Sequence, residues 1–258
     1  MGVWDSYQSR LSAMGTTKRE AALNREKAYL SRKLPSSLSY HTVSMNGVER
    51  NLAIINSDNL NQKTLCSLPG EEIISGSLVY WNDNYWLVTA VDANNEVYTK
   101  AIMLQCNHRL RWIAADGHII ERWCIVSDGT KYLTGETISS YNENGMSLGD
   151  TRISVSLARD EYTVQLNRGF RFLIDDEDSD TVLAYRLTKP FKIGGVYNGN
   201  GVMSFVMTEV NTEDDDNFDL RIADYYKHFP RETDGDVDSE TIVEVLNDEA
   251  TGGKKVWL

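Results

Sequence analysis

The residues best suited to chemistry lie in 105-QCNHRLRW-112, where Cys106 precedes His108 by two positions. Residues i and i+2 of a strand share a face, so thiol and imidazole could be neighbours. A Cys/His nucleophile also needs an orienting third group and an oxyanion hole, which a Gly-rich turn or a helix start usually announces. Neither signal follows here. A zinc site needs about four ligands, commonly with a tight C-x-x-C or H-x-x-x-H pair. Cys66, Cys106, His108, His118 and Cys124 are scattered without that spacing. The reading that costs least is a buried cysteine at a strand end, with Asn107 and His108 in the turn after it.

Two acidic stretches invite a cation. In 232-ETDGDVDSETIVEVL-246 the carboxylates of Asp234, Asp236, Asp238 and Glu240 surround Gly235. An EF-hand loop requires Gly at position 6 and a bidentate Glu at position 12. With Glu232 as the first position, Gly235 falls too early and Val243 occupies the last, so an acidic solvated tail is expected. The run 175-DDEDSD-180 reads as an exposed hairpin tip. No G-x-x-x-x-G-K-[ST] or H-E-x-x-H occurs. The expectation is a protein without catalytic residues, cofactor or metal.

The elements that would carry these residues are mostly strands. Residues 16–35 form the exception: Thr17 and Glu20 fit a capping box, helix formers follow, and Pro35 ends the run. The apolar stripe of this helix (Ala22, Leu23, Tyr29, Leu30, Leu34) is thin, so it should lie on a surface. From residue 40 the pattern alternates. The stretch 77–104 predicts a three-stranded antiparallel meander, with turns at 82-NDN-84 and 92-DANNE-96. A hairpin is predicted over 121–135 around Asp128-Gly129. A second β block begins near residue 150, with strands at 151–166, 170–174, 182–189 and 202–210, and a short helix is expected at 239–248. The two blocks share a loose plan of polar lead-in, aromatic strand, turn and apolar strand, consistent with a degenerate duplication.

The predicted fold is therefore mainly β: two small antiparallel barrel- or sandwich-like domains, an N-terminal helix and an acidic C-terminal arm. The expected divisions are 1–38 (helical arm), 39–136 (first β domain), 137–226 (second β domain) and 227–258 (acidic arm).

Charge is segregated along the 258 residues. Residues 1–34 hold seven Lys/Arg against three acids, whereas residues 211–250 hold 14 acids against three bases within a net charge of −12. Loose nucleic-acid binding is disfavoured for such a chain, while a basic arm on an acidic body is a docking pattern. Segment 211–250 is expected to be a solvated tail or mobile arm. Three cysteines do not make a disulfide framework, which points to a reducing compartment. The start, 1-MGVWDSYQSR-10, lacks the apolar region of a secretory signal, and no apolar run approaches the ~20 residues of a membrane span. Interface candidates are Arg19, Arg25, Lys27 and Tyr29 on the helix, and Trp81 and Trp86, which flank one tight turn.

The phrases 53-AIINSDNLNQKTLCSLPGE-71, 76-GSLVYWNDNYWLVTAVDANNEVYTKAIMLQCNHRLRWI-113, 120-IERWCIVSDGTKYLTGE-136, 170-FRFLIDDEDS-179 and 209-EVNTEDDDNFDLRIADYY-226 resemble structural proteins of tailed bacteriophages. They are similar to those encoded near the portal and capsid genes of phages infecting Firmicutes, of head-closure or head–tail connector type. The resemblance spans roughly residues 17–226. It implies a virion protein in a homo-oligomeric ring, in contact with the portal and neighbouring neck or tail proteins, with genomic DNA passing through an acidic lumen. It makes QCNHRLRW a structural signature. The alternative is a tail, baseplate or capsid accessory protein with a carbohydrate- or receptor-binding β module, whose Trp81, Trp86 and Trp112 would share an exposed face.

Overall fold

The structure is a computed structural model that describes residues 15–92, 95–128, 152–174, 182–230, 242–246 and 254–257, with Gly2, Trp4 and Tyr7. The acidic run 175–180, Gly129 with the expected return strand at 131–135, and residues 232–241 lie outside the described residues. The chain divides into two compact units, Met1–Leu104 and Gln105–Leu258.

The first unit opens with helix α1 (Lys18–Lys33), followed by a short 3-10 turn at Leu34–Ser36 with Pro35 inside it. The capping box is formed: Glu20 N–H donates to Thr17 Oγ1 at 3.1 Å, and Thr17 N–H donates to Glu20 Oε2 at 3.2 Å. Each side chain satisfies an N–H that the first helical turn leaves unpaired.

Six strands follow: β1 (Tyr40–Met45), β2 (Val48–Asn56), β3 (Gln62–Cys66), β4 (Leu78–Trp81), β5 (Asn84–Asp92) and β6 (Lys100–Gln105). They close into a barrel in the order β1-β2-β3-β6-β5-β4. The predicted meander is β4, β5 and β6. Alternation decides which side chains fill the barrel: Val43 and Met45, Leu52 and Ile54, Trp86 and Val88, and Ala101 and Met103 all point into one core. Asn82 and Asp83 take φ of 53° and 58° in the β4–β5 turn, the left-handed pair that a two-residue hairpin demands and that Asn and Asp tolerate.

The second unit contains β7 (His108–Ile113), β8 (Ile119–Asp128), β9 (Arg152–Ala158), β10 (Arg171–Ile174), β11 (Leu183–Tyr197) and β12 (Asn200–Val210). They pair in the order β7-β8-β9-β12-β11-β10, and β10 comes back close to β7. With β1–β6 renumbered, this is the strand order of the first unit, so the two units share a topology, although the halves meet at Leu104/Gln105 and are not the two blocks that the sequence plan paired. The core again follows alternation, with Leu110 and Trp112, Val155 and Leu157, Phe172 and Ile174, and Met203, Phe205 and Met207. Trp112 meets Phe172 edge-on, with centroids 6.1 Å apart at 82°.

Three expectations are corrected. Strands β7 and β8 pair with the second sheet, so the division between β units falls at Leu104/Gln105 and not at 136/137. Local alternation identified these strands as strands; which sheet recruits them depends on partners distant in sequence. The expected helix at 239–248 is a strand over its described part, β13 (Ile242–Leu246), which runs parallel to β8 through Val245↔Ile119 and pairs with β14 (Lys254–Trp257). The β-branched residues of 242-IVEVL-246 suit a sheet better than a helix.

The third correction concerns the acidic segment after β12. Residues 211–230 are folded against their unit and do not form a solvated tail. Ile222 and Tyr225, beside helix α2 (Tyr225–His228), pack with Ile113 and Ile119. Asp216 is buried and pairs with Arg171 of β10, while Arg111 of β7 donates from Nη1 to Leu220 O at 3.3 Å. Acidic composition misleads here because the partner arginines lie far upstream.

Candidate interaction site

None of α1 is buried, yet its faces differ. Leu23, Lys27, Leu30 and Leu34 are half-buried at i, i+4, i+7 and i+11, one stripe of a 3.6-residue helix. Lys18, Arg25, Tyr29 and Arg32 are exposed and fall on the opposite side by the same periodicity. Of the four helical candidates, Arg25 and Tyr29 are therefore on the outer face and Lys27 is on the inner one. Arg19 makes an ion pair with Glu96 at 2.7 Å, a solvent-exposed contact that orients the helix more than it stabilises the unit.

The Trp81–Trp86 pair splits by burial. Trp86 is 4% exposed, a barrel-core residue whose Nε1 donates to Trp81 O at 3.3 Å. It is withdrawn as an interface candidate: the two-residue turn places Trp81 and Trp86 out of register, and Trp86 points inward with Val88. Trp81 is half-buried, with its ring 5.9 Å from Trp86 on one side and 5.4 Å from His41 on the other. Trp112, the third tryptophan of the exposed-groove expectation, is 3% exposed in the other unit, so that groove does not exist as envisaged.

Trp81 instead borders a cleft of about 230 Å³ with Val43, Glu49, Tyr80, Asn82 and Asp83. The cleft arises where the barrel seam opens. Strands β1 and β4 pair only at Ser44↔Tyr80 and Met45↔Val79. At the closed end Asn46, at φ 50°, locks the seam: its N–H donates to Leu78 O and its Oδ1 accepts from Leu78 N–H, at 2.9 and 2.8 Å. Beyond Ser44 the strands part, leaving Val43 and Trp81 across a gap. Tyr80 stands on the rim, its ring 4.9 Å from Tyr85 and its hydroxyl donating to Asp83 Oδ1 at 3.2 Å. Two aromatic rings and two carboxylates thus surround one opening, which is chemistry for a cation or a polyhydroxyl group. Sequence reasoning found Trp81 but missed Glu49 and Asp83; Asp83 lay in the quoted turn, whereas Glu49 reaches the cleft through β1–β2 pairing, which leaves no local signal.

Around Cys106 and His108 the hydrogen bonds tie the start of β7 to β8. Asn107, between β6 and β7, binds β8 with its side chain: Nδ2 donates to Val126 O and Oδ1 accepts from Val126 N–H, both at 2.8 Å. The amide thereby imitates one more strand residue against β8. Residue His108 is the first of β7, opposite Cys124, whose thiol donates to the His108 carbonyl at 3.4 Å. Cys66, Cys106 and Cys124 are buried and none is in a disulfide, and burial pushes the Cys66 thiol above its ordinary range. Among the described residues no group of three or more His, Cys, Asp or Glu is placed to hold a metal ion.

Comparison with known proteins adds one match. Residues 13–105 fit the family model of the YomX N-terminal domain. That family is phage-associated, and the match fits a phage protein. It ends within one residue of the boundary between the units and takes in α1, the closed barrel and the Trp81 cleft. No curated protein matches the chain, and no solved structure does.

Proposed function

We propose that the chain is a virion structural protein of a tailed phage, assembling as a homo-oligomeric ring in the neck between portal and tail as a head-closure or connector component. The observation that carries this reading is the coincidence of a phage-associated family match with a self-contained barrel bearing an unburied basic helix. Charge supports it. Residues 1–104 contain ten Lys/Arg and ten Asp/Glu, so the whole net charge of −12 belongs to residues 105–258. An acidic unit facing a channel would let DNA slide without sticking, and the basic helix would face protein neighbours. The site of action under this reading is the virion, assembled in the bacterial cytoplasm, with the portal and adjoining neck proteins as partners. No enzymatic role is proposed. No helix among the described residues is long and apolar enough to cross a membrane.

Gold-labelled antibody on purified virions tests the assignment. Label at the head–tail junction supports it. Label over the capsid or at the tail tip moves the protein elsewhere in the particle, and virions without label sink it. A second reading, an accessory module that binds carbohydrate, draws on the cleft, where Tyr80 and Trp81 stand beside Glu49 and Asp83. Label at the tail tip together with glycan binding lost in Trp81→Ala would favour that reading.

A further inference from the structure

We propose that the Trp81 cleft is a receptor for cationic side chains, and that its occupant is the outer face of α1 from a second copy of this chain. The inference rests on the reading of the chain as a self-assembling structural protein and names the contact through which copies would join.

The cleft is built for a guanidinium or ammonium group. It is lined by the β1 residues Thr42, Val43 and Ser44 and by half-buried Trp81. Its rim carries Glu49 and Asp83, both exposed, and the Tyr80 ring, 41% exposed. A planar cation can lie over an aromatic face while its N–H groups reach the carboxylates, and arginine serves both demands with one side chain. Among the described residues no Lys or Arg lines the opening, which leaves it open to a cation from another molecule.

The outer stripe of α1 supplies that chemistry. Lys18, Arg25 and Arg32 project on one side with Tyr29 between them, and both helical acids, Glu20 and Glu26, lie off that line. Cations and one tyrosine on the helix meet carboxylates and two aromatic rings at the cleft. The same patch cannot serve as both partners, so the contact is between unlike surfaces and propagates from copy to copy, as a ring requires. Because the charges sit at exposed rims, association through them weakens as salt rises.

The test uses full-length chains and sedimentation velocity across a concentration series. One variant neutralises the cleft (Glu49→Gln with Asp83→Asn) and the other neutralises the helix (Arg25→Gln with Arg32→Gln). All four positions are exposed and Asn tolerates the left-handed backbone of position 83, so thermal melts should match the parent. The parent chain should self-associate and lose association with salt. Each variant alone should associate more weakly by roughly tenfold or more. A mixture of the two should form dimers and nothing larger, since each mixed pair retains one intact cleft and one intact helix. Assembly of both variants at parental strength overturns the contact while leaving self-assembly through another surface. Variants that stay monomeric when mixed overturn it too. A parent chain monomeric at every concentration also overturns it, and the virion labelling then decides the functional reading independently.

Discussion

Arg171 and Asp216 stand 45 residues apart in sequence and meet as a parallel two-bond pair, Nη1 to Oδ1 and Nη2 to Oδ2, each at 2.9 Å. Asp216 also accepts the backbone N–H groups of Glu213 and Asp224 at 2.8 and 2.9 Å, so one carboxylate closes the turn and anchors it to β10. Arg171 adds Asp224 Oδ1 at 2.9 Å and Asn211 O at 3.1 Å. With both side chains nearly inaccessible, removing Asp216 strips the buried Arg171 of its two-bond partner and leaves it the more exposed carboxylates of Asp224 and Glu213. Asp216→Ala should therefore destabilise the protein by about 3–5 kcal/mol. Asp216→Ala combined with Arg171→Met should recover much of that loss, because no orphan charge remains. Urea unfolding of the two single variants and the pair, read as a double-mutant cycle, measures it.

The same network sets an acid limit. Burial alone would raise the Asp224 carboxyl, but hydrogen bonds and charge from Lys227 and Arg171 outweigh it and hold the group below its ordinary value of 3.8. A carboxyl with a depressed folded-state pKa contributes its full stability above the unfolded value and loses it as pH falls through the folded one. Stability should fall as pH drops below about 4. Asp224→Asn should lower stability at neutral pH and flatten that acid limb in melts collected from pH 6 downward.

Trp81 and Trp86 should respond unequally to truncation. Trp86→Ala opens a cavity in a closed barrel and should cost about 3–5 kcal/mol. Trp81→Ala removes a half-buried ring and should cost roughly 1–2 kcal/mol. Thermal unfolding separates them, and equal costs would contradict the placement of Trp86 in the core.

Two glycines of the β11–β12 hairpin should also differ. Gly199, at φ 84°, has open space where a Cβ would stand, whereas at Gly201, φ 145°, a Cβ would lie 2.0 Å from the Gly195 carbonyl oxygen. Gly199→Ala meets only the backbone penalty, about 1–2 kcal/mol. Gly201→Ala adds a clash with main chain that must move and should cost a further 1–3 kcal/mol or so. Denaturant midpoints of the two variants give the comparison.

Residues 1–104, expressed alone, should fold. The barrel closes on itself through β1 and β4 and its core draws on its own strands. A cooperative thermal transition followed by near-ultraviolet circular dichroism is expected, and a spectrum without tertiary signal would contradict the unit boundary.

What the sequence determined by itself was local. Thr17 and Glu20 announced the helix start because a capping box is a contact between residues three apart. Asn82-Asp83 announced a hairpin because its turn demands left-handed backbone that few residues accept. Alternation at Val155 and Leu157, or Trp86 and Val88, predicted strands because successive side chains must face opposite ways. The tertiary structure alone decided what depends on distant partners. It assigned β7 and β8 to the second sheet, set Arg171 against Asp216 and so turned an acidic stretch into folded chain, and sent Trp86 inward while leaving Trp81 at the opening. It also brought Glu49 of β2 beside Asp83 of the β4–β5 turn. Strand pairing and burial are long-range free-energy balances, and no short window of residues contains both sides of them.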